Sequence, residues 1–293
     1  MPDLFTIGNS EARAVISAMG AELTSFFDIA NNRELIRKPD GIWTSQAPVL
    51  FPFIGRLKTG AYTCDGSRYA MDIHGFAKNM TFGAVQTSPE SLSFTLTSGG
   101  DTLAMYPFEF IFTVKFTLAG RVLVKEHIIT NNSAGTMYYE VGGHEGFSLR
   151  HFPGDTFNDY YLLFPGKDRL DSFTFDENIM MTDNMKTVET DRGRLDLRMD
   201  LFKGDALVFG RNAGGLVSIC SKTRGELITV SCKDFDYLGI WTSYKAQDAD
   251  YICVEPWSSL PDHAGIGTEL AGKKGVLSLR LNETQRYSYS ITI

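Results

Sequence analysis

Strict alternation of apolar and polar residues is the feature that most constrains how this chain can fold. Between residues 108 and 118 apolar side chains recur at every second position, and residues 91–97 and 287–293 repeat the pattern. A period of two places such side chains on one face of a β-strand. Glycine and asparagine also punctuate the N-terminal region at the spacing typical of sheets. With no competing helical period of any length, the sequence predicts an all-β protein.

The organisation of the chain is expected to be simple. No linker, shift in composition or repeat of fixed period divides it, so residues 1–293 are predicted to form one domain. The one helix candidate is short, around 199–202. Residues 168–176 and 183–200 are charged and turn-rich, which indicates mostly loops and hairpins. In the strand predicted at 122–129, His127 is expected to point to solvent.

Composition excludes several classes of function. The net charge is −7 and there is no lysine- or arginine-rich block, which argues against binding nucleic acid through its phosphates. The N-terminus lacks a basic start with an apolar core, and no apolar run approaches the ~20 residues of a membrane span. We therefore expect a cytoplasmic protein with no membrane partner. The four cysteines form no CxxC pair and are expected to be reduced and mostly buried: Cys64, Cys220, Cys232 and Cys253.

The segment 48–82 carries the first candidate site residues. Its apolar start ends at Gly55 and Arg56, which places a guanidinium where the chain surfaces, and His74 and Gly75 follow a short strand. Two polar donors beside glycines, which allow close approach, suit one wall of a site for a polar, uncharged ligand such as a sugar. A lone arginine is more often a surface or ion-pair residue, and a lone histidine is often structural, so these alternatives stay open.

Two further segments bring acid–base groups to strand ends. Two glycines precede His144, so that the backbone can turn and let the imidazole face a cavity. Glu255 ends an apolar strand, and Pro256 stops the ladder and frees the carboxylate. Trp257 offers an indole face for the C–H surface of a sugar. Singly, each residue could instead be structural or solvated, and the functional interpretation requires the three segments to converge.

Metal and nucleotide chemistry fit less well. The dipeptide His144-Glu145 does not continue as HExxH, and His144 and His151 have no third nearby ligand of suitable type. Neither a GxSxG nucleophile motif nor a GxGxxG motif between a strand and a helix occurs. No metal and no nucleotide cofactor are predicted.

Four motifs together carry a family resemblance: LFPFIGRL, HGFAKNMTF, the glycine-glycine-histidine at 142–144, and VEPWSSLPD. In order and spacing they resemble the aldose 1-epimerase (galactose mutarotase-like) family, most closely its LacX-like branch. The resemblance covers nearly the whole chain. It implies a large antiparallel β-sandwich with few short helices, a carbohydrate cleft, no metal and no cofactor.

The resemblance also implies roles for individual residues. Glu255 matches the general base and His144 the general acid, while Arg56 and His74 match substrate-binding residues. The aspartate that galactose mutarotases use on sugar hydroxyls has no matching motif, and Asp236 is the candidate. Where the family usually has a small residue after the catalytic histidine, this chain has Glu145, which could raise the pKa of the imidazole or point away.

The expected activity is interconversion of the α and β anomers of a free aldose by a monomer or homodimer. Glu255 would take the proton of the C1 hydroxyl while His144 protonates the ring oxygen, so that the ring opens and recloses. A non-catalytic carbohydrate-binding β-sandwich would need the aromatic residues and Arg56 but no acid–base pair. A hexose-phosphate 1-epimerase would need an added basic cluster, for which Arg56, Lys58 and Lys78 are the candidates.

Overall fold

The computed structural model describes residues 2–246 and 249–293 and consists mostly of β-strands, as the alternation predicted. The strands are β1 (Leu4–Gly8), β2 (Ala12–Ser17), β3 (Glu22–Asp28), β4 (Arg33–Glu34), β5 (Ala61–Cys64), β6 (Ser67–Ala70), β7 (Gly83–Ser88), β8 (Ser91–Thr97), β9 (Phe110–Ala119), β10 (Val122–Asn131), β11 (Met137–Tyr139), β12 (Glu145–Ser148), β13 (Tyr160–Leu163), β14 (Arg169–Phe175), β15 (Met181–Glu189), β16 (Arg194–Asp196), β17 (Leu207–Phe209), β18 (Leu216–Ser221), β19 (Gly225–Ser231), β20 (Tyr237–Trp241), β21 (Tyr251–Trp257), β22 (Leu277–Leu279) and β23 (Thr284–Thr292).

Helical structure in the described ranges is short. It consists of the α-helix α1 (Gly100–Met105) and the 3₁₀ turns Lys58–Gly60, Ala77–Asn79, Phe157–Asp159, Met199–Phe202, Arg211–Ala213 and Leu270–Gly272. The predicted helix at 199–202 is therefore confirmed as a single 3₁₀ turn. None of these helices is long and apolar enough to cross a membrane.

Two large antiparallel sheets form the sandwich. The nine-stranded sheet has the order β16-β13-β18-β19-β23-β10-β9-β8-β7, and the six-stranded sheet has the order β12-β21-β20-β17-β14-β15. Strands β1 to β4 form a smaller sheet, and the pairs β5–β6 and β11–β22 stand apart. On β9 every second residue is buried, as predicted. The main core joins residues from near both chain ends, from Ile7 to Ile291.

Strand β21 of the six-stranded sheet is buried on both faces, and this arrangement places the site. On β21, Ile252 and Val254 belong to the main core between the sheets, whereas Trp257 packs on the opposite, outer face in a smaller apolar cluster with Leu50 and Leu260. All seven residues of β21 are buried, which explains why its sequence reads as an almost continuous apolar run. Loops cover the outer face incompletely and leave a cavity over it.

The expectation that His127 points to solvent was wrong. Residues 123, 125, 127 and 129 of β10 alternate into the interior, and the side chain of His127 is fully buried. Its ring contacts the rings of Phe112, Phe235 and Tyr289. Burial lowers the pKa of His127 well below its ordinary value. The prediction relied on the polar type of His127. The face of a strand residue is instead set by the strand register, which the apolar residues of β10 fix.

The turn-rich region 168–200 contains more regular structure than a loop assignment implies. Strands β14 and β15 pair as a hairpin, with Arg169 opposite Glu189 and a bulge near its turn. The hairpin part of the prediction is thus confirmed. The four cysteines are free and buried, also as predicted.

Candidate active site

The cavity on the outer face of the six-stranded sheet has a volume of about 300 Å³. Its walls are mainly aromatic and aliphatic, with three tryptophans among the residues that line it. Its ionisable side chains are Arg56, His74, Lys78, His144, Asp205 and Glu255. A concave apolar surface with a few convergent polar groups is typical of a site for one small molecule.

His144 and Glu255 meet on the floor of this cavity. Strand β12 pairs with β21 so that Glu145 lies opposite Val254, which places the residue before β12 beside Glu255. The imidazole Nε2 lies 3.2 Å from the carboxylate Oε2. Both side chains are buried, with His144 6% and Glu255 1% exposed. A single antiparallel ladder therefore brings together two residues that are far apart in sequence.

The two glycines before His144 serve close packing. Gly142 exchanges backbone hydrogen bonds of 3.0 Å with Leu50, and the amide of Gly143 donates to the carbonyl of Pro256. A Cβ on Gly142 would lie 2.7 Å from that same carbonyl oxygen. Neither glycine has a positive φ, so close approach of neighbouring backbone, and not the sharp turn expected from the sequence, explains the residue type.

Aromatic rings surround the imidazole of His144. The ring centroids of Trp43, His74 and Trp241 lie 5.0, 5.3 and 5.7 Å from it. Trp257, the indole predicted to receive a sugar, lies on the floor beside Glu255. A Cβ at Gly239 would lie 2.9 Å from the Trp257 ring, so glycine makes room for this indole on the neighbouring strand.

His74 is held in one tautomer by the backbone of Gly55. The amide of Gly55 donates to Nδ1 of His74 at 3.1 Å, and the amide of His74 donates to the Gly55 carbonyl at 2.9 Å. An Nδ1 that accepts a hydrogen bond leaves the ring proton on Nε2, where it can be donated to a ligand. Burial, followed by the nearby His144, lowers the pKa of His74 well below its ordinary value, which favours this neutral form. The φ of +66° at His74 fits such a fixed position.

The structure places an aspartate in the cavity that sequence reasoning missed. Arg56 Nη1 lies 3.4 Å from Oδ2 of Asp205, and both residues line the cavity. Asp236, the candidate chosen from sequence, does not line it, and its carboxylate is paired with Arg211. The available signal was the position of Asp205 next to Gly204, just before the apolar strand β17. The expectation that Pro256 ends the strand after Glu255 was wrong, because β21 continues to Trp257 and Pro256 lies opposite Leu238.

Burial sets the protonation of the acid–base pair. It raises the pKa of Glu255 well above its ordinary value, and the carboxylates of Asp205 and Glu145 raise it further. Burial also lowers the pKa of His144 to about 3. These opposite shifts favour a pair that holds one proton on the carboxyl group, beside a neutral imidazole.

Glu145 points away from the cavity, into the interior of the sandwich. Oε1 of Glu145 lies 2.8 Å from Nζ of Lys125 on β10 and also accepts a hydrogen bond from the hydroxyl of Tyr289 on β23. The carboxylate that departs from the family pattern thus joins the two large sheets. The sequence left open whether Glu145 raises the pKa of His144 or points away from it. In the structure Glu145 points away from the imidazole.

A second buried ion pair supports the cavity walls from behind. Oε2 of Glu140 accepts from the amide of Ile54, and Oε1 accepts from the hydroxyl of Ser259, both at 2.8 Å. Nζ of Lys273 lies 2.8 Å from Oε1 of the same carboxylate and donates to the carbonyl of Leu260. One carboxylate therefore ties together the segments that carry Arg56 and the end of the VEPWSSLPD motif.

One group of potential metal ligands converges within residues 2–246 and 249–293. The donor atoms of His144, Cys253 and Glu255 lie within 4.8 Å of one another. Burial raises the pKa of the Cys253 thiol well above its ordinary value, which opposes the thiolate form that metals bind. The group suits proton transfer better than metal binding, and the lack of a metal stays a prediction from sequence.

Fold and sequence comparison agree on the class of protein. A sequence model described as aldose 1-epimerase matches residues 3–205. The chain therefore belongs to the aldose 1-epimerase family, as the motif resemblance indicated. Membership of this family and the fold support a mutarotase-like function.

Individual relatives resemble the chain over almost its full length. The chromosomal protein LacX of Lactococcus lactis subsp. lactis is 28% identical over 284 residues, which cover 94% of each chain. The structure of a galactose mutarotase related enzyme from Lactobacillus acidophilus superimposes with a TM-score of 0.93 at 31% identity, covering 99% of this chain and 97% of the other. A galactose mutarotase-like protein from Lactobacillus casei gives a TM-score of 0.89 at 28% identity, with 99% of both chains covered.

Proposed function

We propose that this protein is a cofactor-independent aldose 1-epimerase that interconverts the α and β anomers of a free, uncharged aldose. The observation that carries the proposal is the contact of 3.2 Å between Nε2 of His144 and Oε2 of Glu255 on the floor of a cavity of about 300 Å³. Anomer exchange needs one group that accepts a proton and one that donates a proton, at opposite ends of the bond that breaks. The reaction requires no redox step.

The proton count of the pair matches this reaction. Moving the shared proton from Glu255 to His144 gives a carboxylate and an imidazolium, and polar groups of the bound sugar favour this charged form. The carboxylate then takes the proton of the C1 hydroxyl while the imidazolium protonates the ring oxygen. The C1–O5 bond breaks and the aldehyde forms. Rotation about C1–C2 and the reverse transfers give either anomer and restore the pair.

The remaining polar groups are proposed to hold the sugar. Nε2 of His74 donates to a sugar oxygen. Arg56 donates hydrogen bonds to sugar hydroxyl groups, and Asp205 accepts hydrogen bonds from them. Asp205 takes the role that the sequence suggested for Asp236, because Asp205 lines the cavity. Trp257 receives the apolar C–H face of the ring.

The charges in the cavity favour a free aldose over a phosphorylated one. Of the two cationic side chains among the cavity-lining residues, Arg56 is paired with Asp205. Nζ of Lys78 donates to the carbonyls of Ile73 and Gly75, at 2.8 and 2.7 Å. A phosphate dianion would have to displace these partners and would lie close to carboxylates.

A purely carbohydrate-binding protein is the weaker alternative. Burying an ionisable carboxyl group raises its pKa and reduces stability at neutral pH, and sugar binding alone does not require this. A proton-transfer function explains why Glu255 is kept inside, beside a histidine. The cytoplasmic location and the monomeric or homodimeric state stay predictions from the sequence.

Anomer exchange can be measured directly by polarimetry of freshly dissolved α-sugars and by NMR exchange between anomeric protons. We expect acceleration for at least one free hexose among glucose, galactose and their epimers, and a smaller kcat/KM for the matching 6-phosphate. Exchange of the phosphorylated sugars only would overturn the proposed substrate class. Tight sugar binding with no exchange would support the carbohydrate-binding alternative.

A further inference from the structure

The loop 38–46 covers the acid–base pair, and a buried arginine at its start holds it in place. Arg37 is only 1% exposed, which is unusual for an arginine without a defined role. It does not line the cavity and takes no part in the proton transfers described above. The contacts of its guanidinium converge on the loop and on the rings beside His144.

The guanidinium organises the loop backbone. Nη1 of Arg37 donates to the carbonyls of Trp43 and Ser45, each at 2.7 Å. Nη2 lies 2.7 Å from the carboxylate of Asp40. The other oxygen of that carboxylate accepts from the amides of Ile42 and Trp43, both at 2.7 Å. One side chain thus fixes both ends of the turn that presents Trp43.

The same arginine lies over the rings of Trp43 and Tyr251, which pack beside His144. Its Cζ is 4.9 Å from the centre of the Trp43 ring and 4.3 Å from that of Tyr251, within the range of cation–π attraction. Trp43 stacks on Tyr251 at 5.3 Å, and the tryptophan ring lies 5.0 Å from the imidazole of His144. Arg37, Trp43 and His144 therefore form a continuous series of contacts.

Glycine at position 146 allows this loop to lie directly on β12. The amide of Arg37 donates to the Gly146 carbonyl at 2.9 Å, and the amide of Gly146 donates to the carbonyl of Gln46 at 2.8 Å. A Cβ on Gly146 would lie 2.8 Å from the Trp43 ring and 2.9 Å from Cδ of Arg37. The loop is thus fitted to bare backbone two residues beyond His144.

We propose that Arg37 is a positioning residue for the acid–base pair, which fixes Trp43 against the His144 imidazole and keeps water away from it. The catalytic part of this inference rests on the proposed epimerase function. The shielding part does not, because it concerns only the environment of His144. The titratable and charged groups around this imidazole are Glu255, Cys253 and His74, with Arg56, Lys78 and Asp205 lining the same cavity.

The test uses Arg37→Met, which keeps the length of the side chain and removes its donors, and Trp43→Ala, which leaves the arginine in place. Trp43 is only partly buried, so its removal is expected to be tolerated better than loss of Arg37. We expect kcat to fall by about 10–100-fold in both variants, since displacing a catalytic group by ~1 Å can cost that much. Arg37→Lys, which keeps the charge but cannot bridge two carbonyls and a carboxylate in one plane, is expected to be intermediate.

The second measurement reports on shielding without any need for activity. In ¹⁵N-histidine-labelled protein, the His144 signal is assigned by its loss in His144→Gln. With Trp43 removed or displaced, the His144 pKa should rise from about 3 toward its ordinary 6.5. Arg194→Met is a matched control, because this arginine lies 4.2 Å from the Tyr161 ring and pairs with Asp196, outside the cavity. It should change neither readout.

Two results would overturn the proposal. One is an unchanged His144 titration in both folded variants, and the other is a shifted titration with kcat within about twofold of wild type. If wild-type protein exchanges no sugar anomers, the proposed function is wrong, and the effect of Arg37 on kcat has no basis. The NMR titration then decides separately whether Arg37 and Trp43 shield His144.

Discussion

Two carboxylates on neighbouring strands, Glu145 and Glu255, are equally buried and have opposite surroundings. Each is 1% exposed. Glu145 faces the interior of the sandwich, where Lys125 and Tyr289 contact its Oε1. Glu255 faces the cavity, where its Oε2 lies 3.2 Å from Nε2 of His144.

The comparison shows that the two faces of one sheet can carry a structural carboxylate and a catalytic carboxylate. Because side chains alternate along a strand, moving one position along β12 changes the face and therefore the partner. A lysine partner offsets the cost of burying Glu145 and ties the two sheets together. Glu255 has no lysine partner of this kind: burial and nearby carboxylates raise its pKa, which favours a proton on Glu255 that it can exchange with His144. Partners, and not burial as such, distinguish the two roles.

The largest expected effect is on catalysis. Glu255→Gln should lower kcat/KM for anomer exchange by about 10²–10⁴-fold, because the proton acceptor is lost while the shape of the side chain is kept.

The same substitution should change the stability of the fold. The folded-state pKa of Glu255 is raised, so its contribution to the free energy of unfolding is present below the unfolded pKa of 4.5 and is lost as the pH rises toward the folded-state pKa. The variant should therefore be more stable than wild type at neutral pH, as measured by the urea midpoint.

Glu145→Gln is the matched control for that experiment. It should reduce stability and leave the activity of the folded fraction close to wild type. A Glu255→Gln protein that exchanges anomers at the wild-type rate would contradict the role of this carboxylate. Inactivation of folded Glu145→Gln protein to the same degree would remove the distinction between the two residues.

The next effect is on stability alone. Lys125→Met leaves Glu145 without its cation in the interior and should lower the free energy of unfolding by about 3–5 kcal/mol. The double variant Lys125→Met, Glu145→Leu removes both charges and should recover most of that loss. Denaturant titration of the wild type and the variants gives the coupling energy. Additive losses in the double variant would mean that the pair does not act as a unit.

The smallest and sharpest effect is on pH dependence. The plot of kcat/KM reports the pKa values of the free enzyme, and the proposed pair is active while it holds one proton. A second proton must add to His144, whose pKa is lowered to about 3, so activity should not fall as pH drops through the ordinary histidine value of 6.5. The proton is lost only above the raised pKa of Glu255.

Exchange rates corrected for the uncatalysed reaction, measured from about pH 4 to about pH 8, test this assignment. Glu145→Gln should show the same acid side of the profile as wild type, because its carboxylate lies on the face of the sheet away from His144. Its alkaline limb should shift to lower pH, because the Glu145 carboxylate contributes to the raised pKa of Glu255. An acid limb centred near 6.5 in wild type would mean that His144 is exposed to water and that the pair is not shielded.

Local pattern predicted much of this molecule. Alternation along 91–97 and 108–118 located strands β8 and β9 and the buried face of β9 correctly, because a two-residue period has one structural meaning over such lengths. Strand-end chemistry singled out Arg56, His74, His144 and Glu255, all of which line one cavity. The same reasoning failed for His127, since a polar residue type does not reveal which face of a strand is covered.

The sequence by itself determined the all-β class, the buried face of β9 and the two acid–base residues His144 and Glu255, because these follow from residue type and spacing over a few positions. Only the tertiary structure decided which carboxylate is paired with a lysine, which aspartate lines the cavity, and that Arg37 reaches His144 through Trp43. Those outcomes depend on strand register, sheet pairing and loop packing between segments distant in the chain. Contacts between residues far apart in the chain leave no pattern in the local sequence, so they cannot be predicted from it.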